Sequence, residues 1–510
     1  MQLPTFAVPA SLTILVVGAT GDLARRKLFP ALFACFARGY LSREVRFVGL
    51  ARTPLDDAAF RVRLADGLKC EEIAADACSL QVGEFLRRCS YCRCEYDSAA
   101  DWVAAEGRLL ALEGGARANR VIYLAVPPFV FGPAARVMAQ TGFLSHGDSL
   151  TEPWTRLVVE KPFGRDRASY DELQRILGAV CAEEQTFRID HYLGKEVVQN
   201  LLVLRFANTI FEPLWCRAHV SHVHISLSET QGVAGRAGYF DQYGIIRDVM
   251  QNHLMQILSL LTMEPPAHLD AEAIRDAKVA VLQKIQPQTL DDLVVGQYVS
   301  AASLVEAAPR GYLQEDGVPP DSCTPTYAAA VLRVDTPRWQ GVPFLLTAGK
   351  GLCHNRTEVR MHFRDEATLF DNAIADLPCG TETNELIIGV QPDEKLALRI
   401  VSKIPGVGMK LGTTELDLRF REKYPGQRIA DAYENLLLDV VRGDRSLFIR
   451  SDELEAAWDI YTPVLQQLES LQIQPRPYAA GSCGPAALEA LALRHGIPDA
   501  VEYRTRNAEC

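Results

Sequence analysis

The sequence has no uninterrupted apolar run of the roughly 18 residues that a membrane-spanning helix needs. No basic leader precedes the first apolar stretch in "MQLPTFAVPASLTILVVG", which therefore predicts a strand rather than a targeting signal. The last residues, "RNAEC", form neither a peroxisomal tripeptide nor a prenylation box. A local basic face is also lacking: 53 Lys and Arg stand against 64 Asp and Glu, for a formal net charge of -11 and a pI near 5.5. That balance disfavours a sequence-independent grip on nucleic acid or an anionic membrane and leaves small anionic molecules as better partners. The expected setting is cytoplasmic, with neither nucleic acid nor membrane as partner.

Thirteen cysteines are present, without a secretory signal to suggest a disulfide framework. The cluster Cys89, Cys92 and Cys94, with Cys78 upstream, lacks the pair-of-pairs spacing of a zinc site. Free thiols and no metal are expected there.

No internal repeat is visible, but the texture changes once along the 510 residues. Up to about residue 180, the apolar runs "TILVVG", "VRFVGLAR", "RVIYLAVPP" and "TRLVVEKPFG" alternate with helical patterns, which predicts a parallel, doubly wound sheet. From about 220 to 420 the alternation in "VHISLSE", "AAAVLRVD", "EVRMHFRD", "ELIIGVQP" and "ELDLRF" predicts an antiparallel sheet with one covered face. Residues 430–475 read as helix. The predicted class is α/β plus α+β: a Rossmann-like domain over 1–185, then a larger domain over 186–510 with a mainly antiparallel sheet backed by helices.

"TILVVGATGDLARRK" is a strand, a glycine turn and a helix, with Gly18, Gly21 and Ala24 in a G-x-x-G-x-x-A arrangement. Such glycines let backbone N–H groups approach a pyrophosphate at a helix N-terminus, so the stretch predicts dinucleotide binding. Where an NAD enzyme usually has an acidic residue for the ribose hydroxyls, this chain has Arg52, with Arg25 and Arg26 in the first helix. A cation there suits the 2′-phosphate of NADP; the alternative is a solvated surface arginine.

Oxidation of an alcohol by a nicotinamide needs a base for the hydroxyl proton, and a histidine oriented by a carboxylate suits that task. In "IIRDVMQNHLMQILSLLTME", Ile246, Val249, Met250, His253, Ile257 and Leu260 recur at helical spacing, which puts His253 on a buried stripe. It is either the base or a satisfied core histidine, and spacing does not show whether it meets Asp190. "RIDHYLGKE" offers His191, Tyr192 and Lys195 around Gly194, a set able to grip a phosphate or to make a polar turn. Lys161 in "EKPFG" follows a strand at the edge where parallel sheets bind ligands.

These residues together closely resemble the glucose-6-phosphate dehydrogenase family. "RIDHYLGKE", "GATGDLARRK", "EKPFG", "GYFDQYGIIRDVMQNHLMQ", "GVPFLLTAGK" and "RSDELEAAW" occur in the family's order over nearly the whole chain. The resemblance implies oxidation of glucose 6-phosphate to 6-phospho-D-glucono-1,5-lactone with hydride transfer to NADP. It implies His253 as general base and Asp190 as its carboxylate partner. His191, Tyr192, Lys195 and Lys350 would hold the 6-phosphate, and Glu229, Asp248 and Gln391 the sugar hydroxyls. Lys161 would sit between substrate and nicotinamide, and Gly18, Thr20, Gly21, Asp22, Leu23 and Arg52 would line the NADP site. A homodimer or homotetramer is implied as well. Animal members carry a second, structural NADP held by arginines and aromatic rings. Here Arg356 and Arg360 remain for it, but Gly389, Ala397 and Cys483 stand at the other aligned positions, so a single NADP per chain is expected.

Overall fold

The computed structural model describes residues 11–69, 75–144, 153–300, 310–364 and 384–497. The chain divides into two compact units: residues 1–194, 268–275 and 430–455 form the first, and 195–267, 276–429 and 456–510 the second.

The first unit is built on six parallel strands: β1 Leu12–Val17, β2 Arg46–Ala51, β3 Cys89–Arg93, β4 Asn119–Leu124, β5 Thr155–Glu160 and β6 Thr186–Ile189. Their order is β3-β2-β1-β4-β5-β6, the doubly wound arrangement expected from the alternating texture. All six residues of β1 are buried, which is why its sequence is a continuous apolar run rather than an alternation. Phe29, Phe33, Phe36, Phe47 and Phe85 are part of the unit's core, where Phe33 meets Phe85 and Phe36 meets Phe47 edge-on and Phe85 lies tilted against Phe36 and Phe47.

The helix Ala432–Arg442 belongs to this unit and packs on the helix Phe29–Ala37. Its start is a capping box: the Asp431 side chain accepts from the Tyr433 amide at 2.9 Å while Glu434 reaches back to the Asp431 amide. Its end is held by Arg156 of β5, which donates to the carbonyl oxygens of Val440 and Val441 at 2.7 and 2.8 Å. Burial lowers the Arg156 guanidinium to about 10. The stretch 430–475, expected to be helical, holds two helices, Ala432–Arg442 and Ser451–Ser470.

Near the end of that helix, burial and then the Asp444 charge push the Asp439 carboxyl up to about 7, against Arg442. An unfolded Asp titrates near 3.9, so the folded state binds this proton more tightly. The stability linked to it is complete below about pH 4 and is lost as pH rises through 7. Asp439→Asn should therefore leave the melting temperature unchanged near pH 4 and raise it increasingly up to pH 7. Above that pH the gain should level off at about 1–3 kcal/mol, as read by thermal melts across pH.

Cys89 and Cys92 lie three residues apart on β3 and so point to opposite faces, which prevents them from chelating one ion. Both are free thiols, as is Cys94, and burial pushes Cys92 up to about 11 and Cys94 to about 12. Cys78 is disulfide-bonded, which corrects the expectation of a free thiol at that position.

The second unit carries nine strands: β7 Val220–Ser228, β8 Leu293–Val299, β9 Tyr327–Arg333, β10 Pro343–Gly349, β11 Arg356–Phe363, β12 Glu385–Gln391, β13 Lys395–Lys403, β14 Leu411–Arg419 and β15 Arg476–Ala479. They run in the order β14-β13-β12-β11-β7-β10-β9-β8-β15. Pairing is mainly antiparallel, with β7 parallel to β10 and β15 parallel to β8. A π-helical stretch, Ile246–Leu254, continues into the helix Met255–Thr262 and packs on β7 and β10. The apolar stripe read from the sequence is part of a more complete burial, since every residue from Val249 to Met263 is buried.

Candidate active site

In the first unit the positions expected to bind ligands lie along the carboxyl ends of the parallel strands, with Gly18, Arg52, Lys161 and Asp190 following β1, β2, β5 and β6. Gly18 leaves β1 with φ +88°. The amides of Gly18 and Ala19 both donate to the Leu50 carbonyl oxygen, at 2.8 and 3.1 Å, and the Gly21 amide donates to Gly18 at 2.9 Å. These bonds tie the turn to β2. Thr20 meets Thr53 through their hydroxyls at 3.2 Å, and Arg63 donates to the Thr20 carbonyl oxygen at 3.1 Å. Asp22 pairs with Arg25 and Arg26 at 3.4 and 2.8 Å on the open surface. Leu23 packs against the core of the unit.

Arg52 follows β2 and is exposed, its guanidinium lying 5.7 Å from the centre of the Tyr96 ring. That places a cation against an aromatic face beside the glycine turn. Tyr96 was not evident as a site residue from sequence, because it follows β3, a strand whose five residues look like a cysteine cluster.

Lys161 and Asp190 leave adjacent strand ends, since Glu160 of β5 stands opposite Ile189 of β6. The Asp190 carboxylate accepts from the Tyr192 amide at 2.9 Å, which closes the turn that holds His191. Tyr192 is buried, whereas His191 is half-buried beside it with ring centres 5.0 Å apart. Tyr433 lies parallel to the His191 ring at 6.1 Å. It is 242 residues away in sequence, beyond the reach of any local pattern.

The second unit brings the remaining positions into two groups. Lys350, at the end of β10, is buried and forms ion pairs with Glu229 and, at 3.4 Å, with Asp248. Its ammonium also lies 5.4 Å from the Phe240 ring centre. Lys195, capping the helix Glu196–Phe206, donates to Gln391 at the end of β12, at 2.8 Å. His253 is 3% exposed, and its backbone amide donates to the Asn252 side chain at 2.7 Å. Two cations, two carboxylates and an amide side chain are thus held ready in a form that suits an anionic, hydroxyl-rich ligand.

Comparison with known proteins agrees with this chemistry. A model of the glucose-6-phosphate dehydrogenase NAD binding domain matches residues 15–200, and a model of that enzyme's C-terminal domain matches residues 202–503. The chain is 47% identical over 497 residues to glucose-6-phosphate 1-dehydrogenase 1, chloroplastic, of Arabidopsis thaliana, covering 96% of this chain and 83% of that one. It is 44% identical over 499 residues to the Dictyostelium discoideum glucose-6-phosphate 1-dehydrogenase, covering 96% of each. A solved structure of glucose-6-phosphate dehydrogenase in complex with its substrate glucose-6-phosphate superposes with a TM-score of 0.87 at 38% identity, over 96% of this chain and 98% of that one. The strand order, the glycine turn, the polar turn after β6 and these full-length matches agree, and the chain belongs to the glucose-6-phosphate dehydrogenase family.

Proposed function

We propose that this protein oxidises glucose 6-phosphate at its anomeric carbon, giving 6-phospho-D-glucono-1,5-lactone, with NADP as hydride acceptor. The observation that carries the reading is the full-length likeness, at 38% identity, to a structure solved with that substrate. In this reading residues 1–185 hold the cofactor and 186–510 the sugar. His253 takes the proton of the anomeric hydroxyl while the C–H bond of the same carbon yields its hydride, so that a C=O bond forms. Asp190 is the carboxylate partner that orients the imidazole and stabilises its charged form. His191, Tyr192, Lys195 and Lys350 hold the phosphate; Glu229, Asp248 and Gln391 hold the hydroxyls; Lys161 lies between sugar and nicotinamide.

NADP, when bound, supplies the hydride-accepting ring. The chain's residues fit it: the Gly18 turn leaves no room for a side chain, and Arg52 against Tyr96 offers a cation and a flat ring. Gly18 and Ala19 give their amides to Leu50 of β2 and Gly21 gives its amide to Gly18, so the residues of this stretch that would meet the pyrophosphate with their amides are Thr20, Asp22 and Leu23 at the helix start.

The test is NADPH absorbance on mixing the protein with glucose 6-phosphate and either cofactor, with glucose and galactose 6-phosphate as controls. Rapid reduction of NADP with glucose 6-phosphate alone is expected; no reduction would overturn the reading. Arg52→Ala should weaken NADP by about one to two decades, the worth of one charge-assisted contact, and leave NAD nearly unchanged. Equal losses for both cofactors would make Arg52 a structural arginine.

A single NADP per chain is part of the same reading. Arg360 is engaged by Glu358 and Glu385 at 3.1 and 2.9 Å, and Arg356 lies 3.8 Å from Glu358, so carboxylates already occupy the two arginines a second NADP would use. Equilibrium titration should give one site, and a stoichiometry of two would count against this. The protein is further proposed to act in the cytoplasm as a homodimer or homotetramer. Exposed Val407, Met409 and Leu416 around the β13–β14 hairpin support self-association. Similar relatives include both chloroplastic and cytoplasmic forms, and no helix among the described residues is long and apolar enough to cross a membrane.

A further inference from the structure

Glu160 ends β5 one residue before Lys161, and its strand neighbour Ile189 is one residue before Asp190. Its carboxyl is buried, which costs an ion dearly unless donors surround it. Two donors do. Tyr123 of β4 gives its hydroxyl proton to Oε1 at 2.5 Å, and the hydroxyl of Tyr433, on the helix Ala432–Arg442, faces the same carboxyl. The groups that face the carboxyl are therefore Tyr123 from β4, Tyr433 from the helix, Lys161 from the end of β5 itself, and Asp190 from the end of β6. Burial raises the Glu160 carboxyl above the usual range, the two tyrosine hydroxyls and Lys161 oppose this, and the Asp190 charge adds to it.

Tyr433 joins this buried carboxyl to the turn Asp190–Gly194. Its hydroxyl faces Glu160, while its ring lies within 8° of parallel to that of His191. The helix that carries it also closes on the far end of the turn. A Cβ on Gly194 would stand 2.5 Å from the Ala432 carbonyl oxygen, and Asn435 donates to the Gly194 carbonyl oxygen at 3.1 Å. The turn therefore rests on the helix that also sets Tyr433 between His191 and Glu160.

We infer that Glu160 is a positioning residue for the proposed reaction: through Tyr433 it fixes the Asp190–Gly194 turn, and its charge sets the electrostatic surroundings in which Asp190 works. The inference rests on the function proposed above. Packing alone would be satisfied by glutamine, which has nearly the same shape. What glutamine lacks is the charge and the second strong acceptor for two tyrosine hydroxyls.

The experiment compares Glu160→Gln, Glu160→Asp, Tyr433→Phe and the double variant Glu160→Gln/Tyr433→Phe in the full chain, each checked by thermal melting. Glu160→Gln should lower kcat/KM for glucose 6-phosphate about tenfold, comparable to losing the carboxylate behind a metal-bound histidine. Removing an anion eases deprotonation of its neighbours, so the acid limb of the kcat/KM profile should move to lower pH by about half a unit or more. Tyr433→Phe should lose a similar factor and the double variant no more than either single one, because both remove the same link. Glu160→Asp keeps the charge and should keep the acid limb in place with a smaller loss of rate. If Glu160→Gln does not fold, Tyr433→Phe and Glu160→Asp carry the test. Wild-type rate and an unmoved acid limb in Glu160→Gln, or additive losses in the double variant, would overturn the inference alone. A wild type that does not reduce NADP with glucose 6-phosphate would sink the proposed function and this inference with it.

Discussion

Replacing His253 with Asn should lower kcat by about 10²–10⁴-fold or more while leaving KM for glucose 6-phosphate within a small factor, because a general base acts only as the proton leaves. Asparagine keeps a donor and an acceptor near the positions of the ring nitrogens but takes no proton at neutral pH. His253 lies on a helix in which every residue from Val249 to Met263 is buried, so the exchange also leaves some space behind. A melting curve separates that cost from the chemistry. Asp190→Asn should be milder yet clearly damaging, since it leaves the imidazole without its charge partner. Near-normal kcat in a folded His253→Asn protein would show that His253 is a satisfied core histidine.

Gly18→Ala should be the most disruptive single exchange in the cofactor turn. At φ +88° a side chain is strained wherever it points. Here it would also lie 2.3 Å from the Ala125 carbonyl oxygen and 2.9 Å from Val126 Cγ1, and the first of these is backbone that does not swing aside. The turn cannot retreat, because its own amides are bound to Leu50 of β2. The expected cost is about 2–4 kcal/mol in stability, from strain of about 1–3 kcal/mol plus the displaced strand end. NADP affinity should fall by at least about tenfold as the helix start shifts from its place. Gly21→Ala provides the contrast: its nearest neighbour would be the Gly18 carbonyl oxygen at 3.1 Å, so its loss should be smaller. A Gly18→Ala protein with unchanged melting temperature and NADP affinity would remove the turn from the cofactor site.

The residues alone made legible whatever is written in local periodicity. The apolar runs of β1, β2, β4 and β5, the glycine turn and the buried helix around His253 each show in a dozen consecutive residues, because burial on both faces or on one stripe sets the pattern directly. Alternation in sequence also marked β7, β9, β11, β12 and β14, although β7, β9 and β12 are buried at nearly every residue and β14 is largely exposed. The strands β3, β6 and β15 are too short to make a pattern, at five, four and four residues. Strand β10 is central in its sheet and buried almost throughout, so "PFLLTAG" has no alternation to read. Its parallel pairing with β7 is a property of the chain's path and leaves no trace in either segment. The pairing of Lys350 with Glu229 and Asp248, and the meeting of Glu160 with Tyr123 and Tyr433, join residues from 37 to nearly three hundred positions apart in sequence. Only the tertiary structure decides such contacts, because a side chain's partner across a sheet depends on which elements pack there and not on its sequence neighbours.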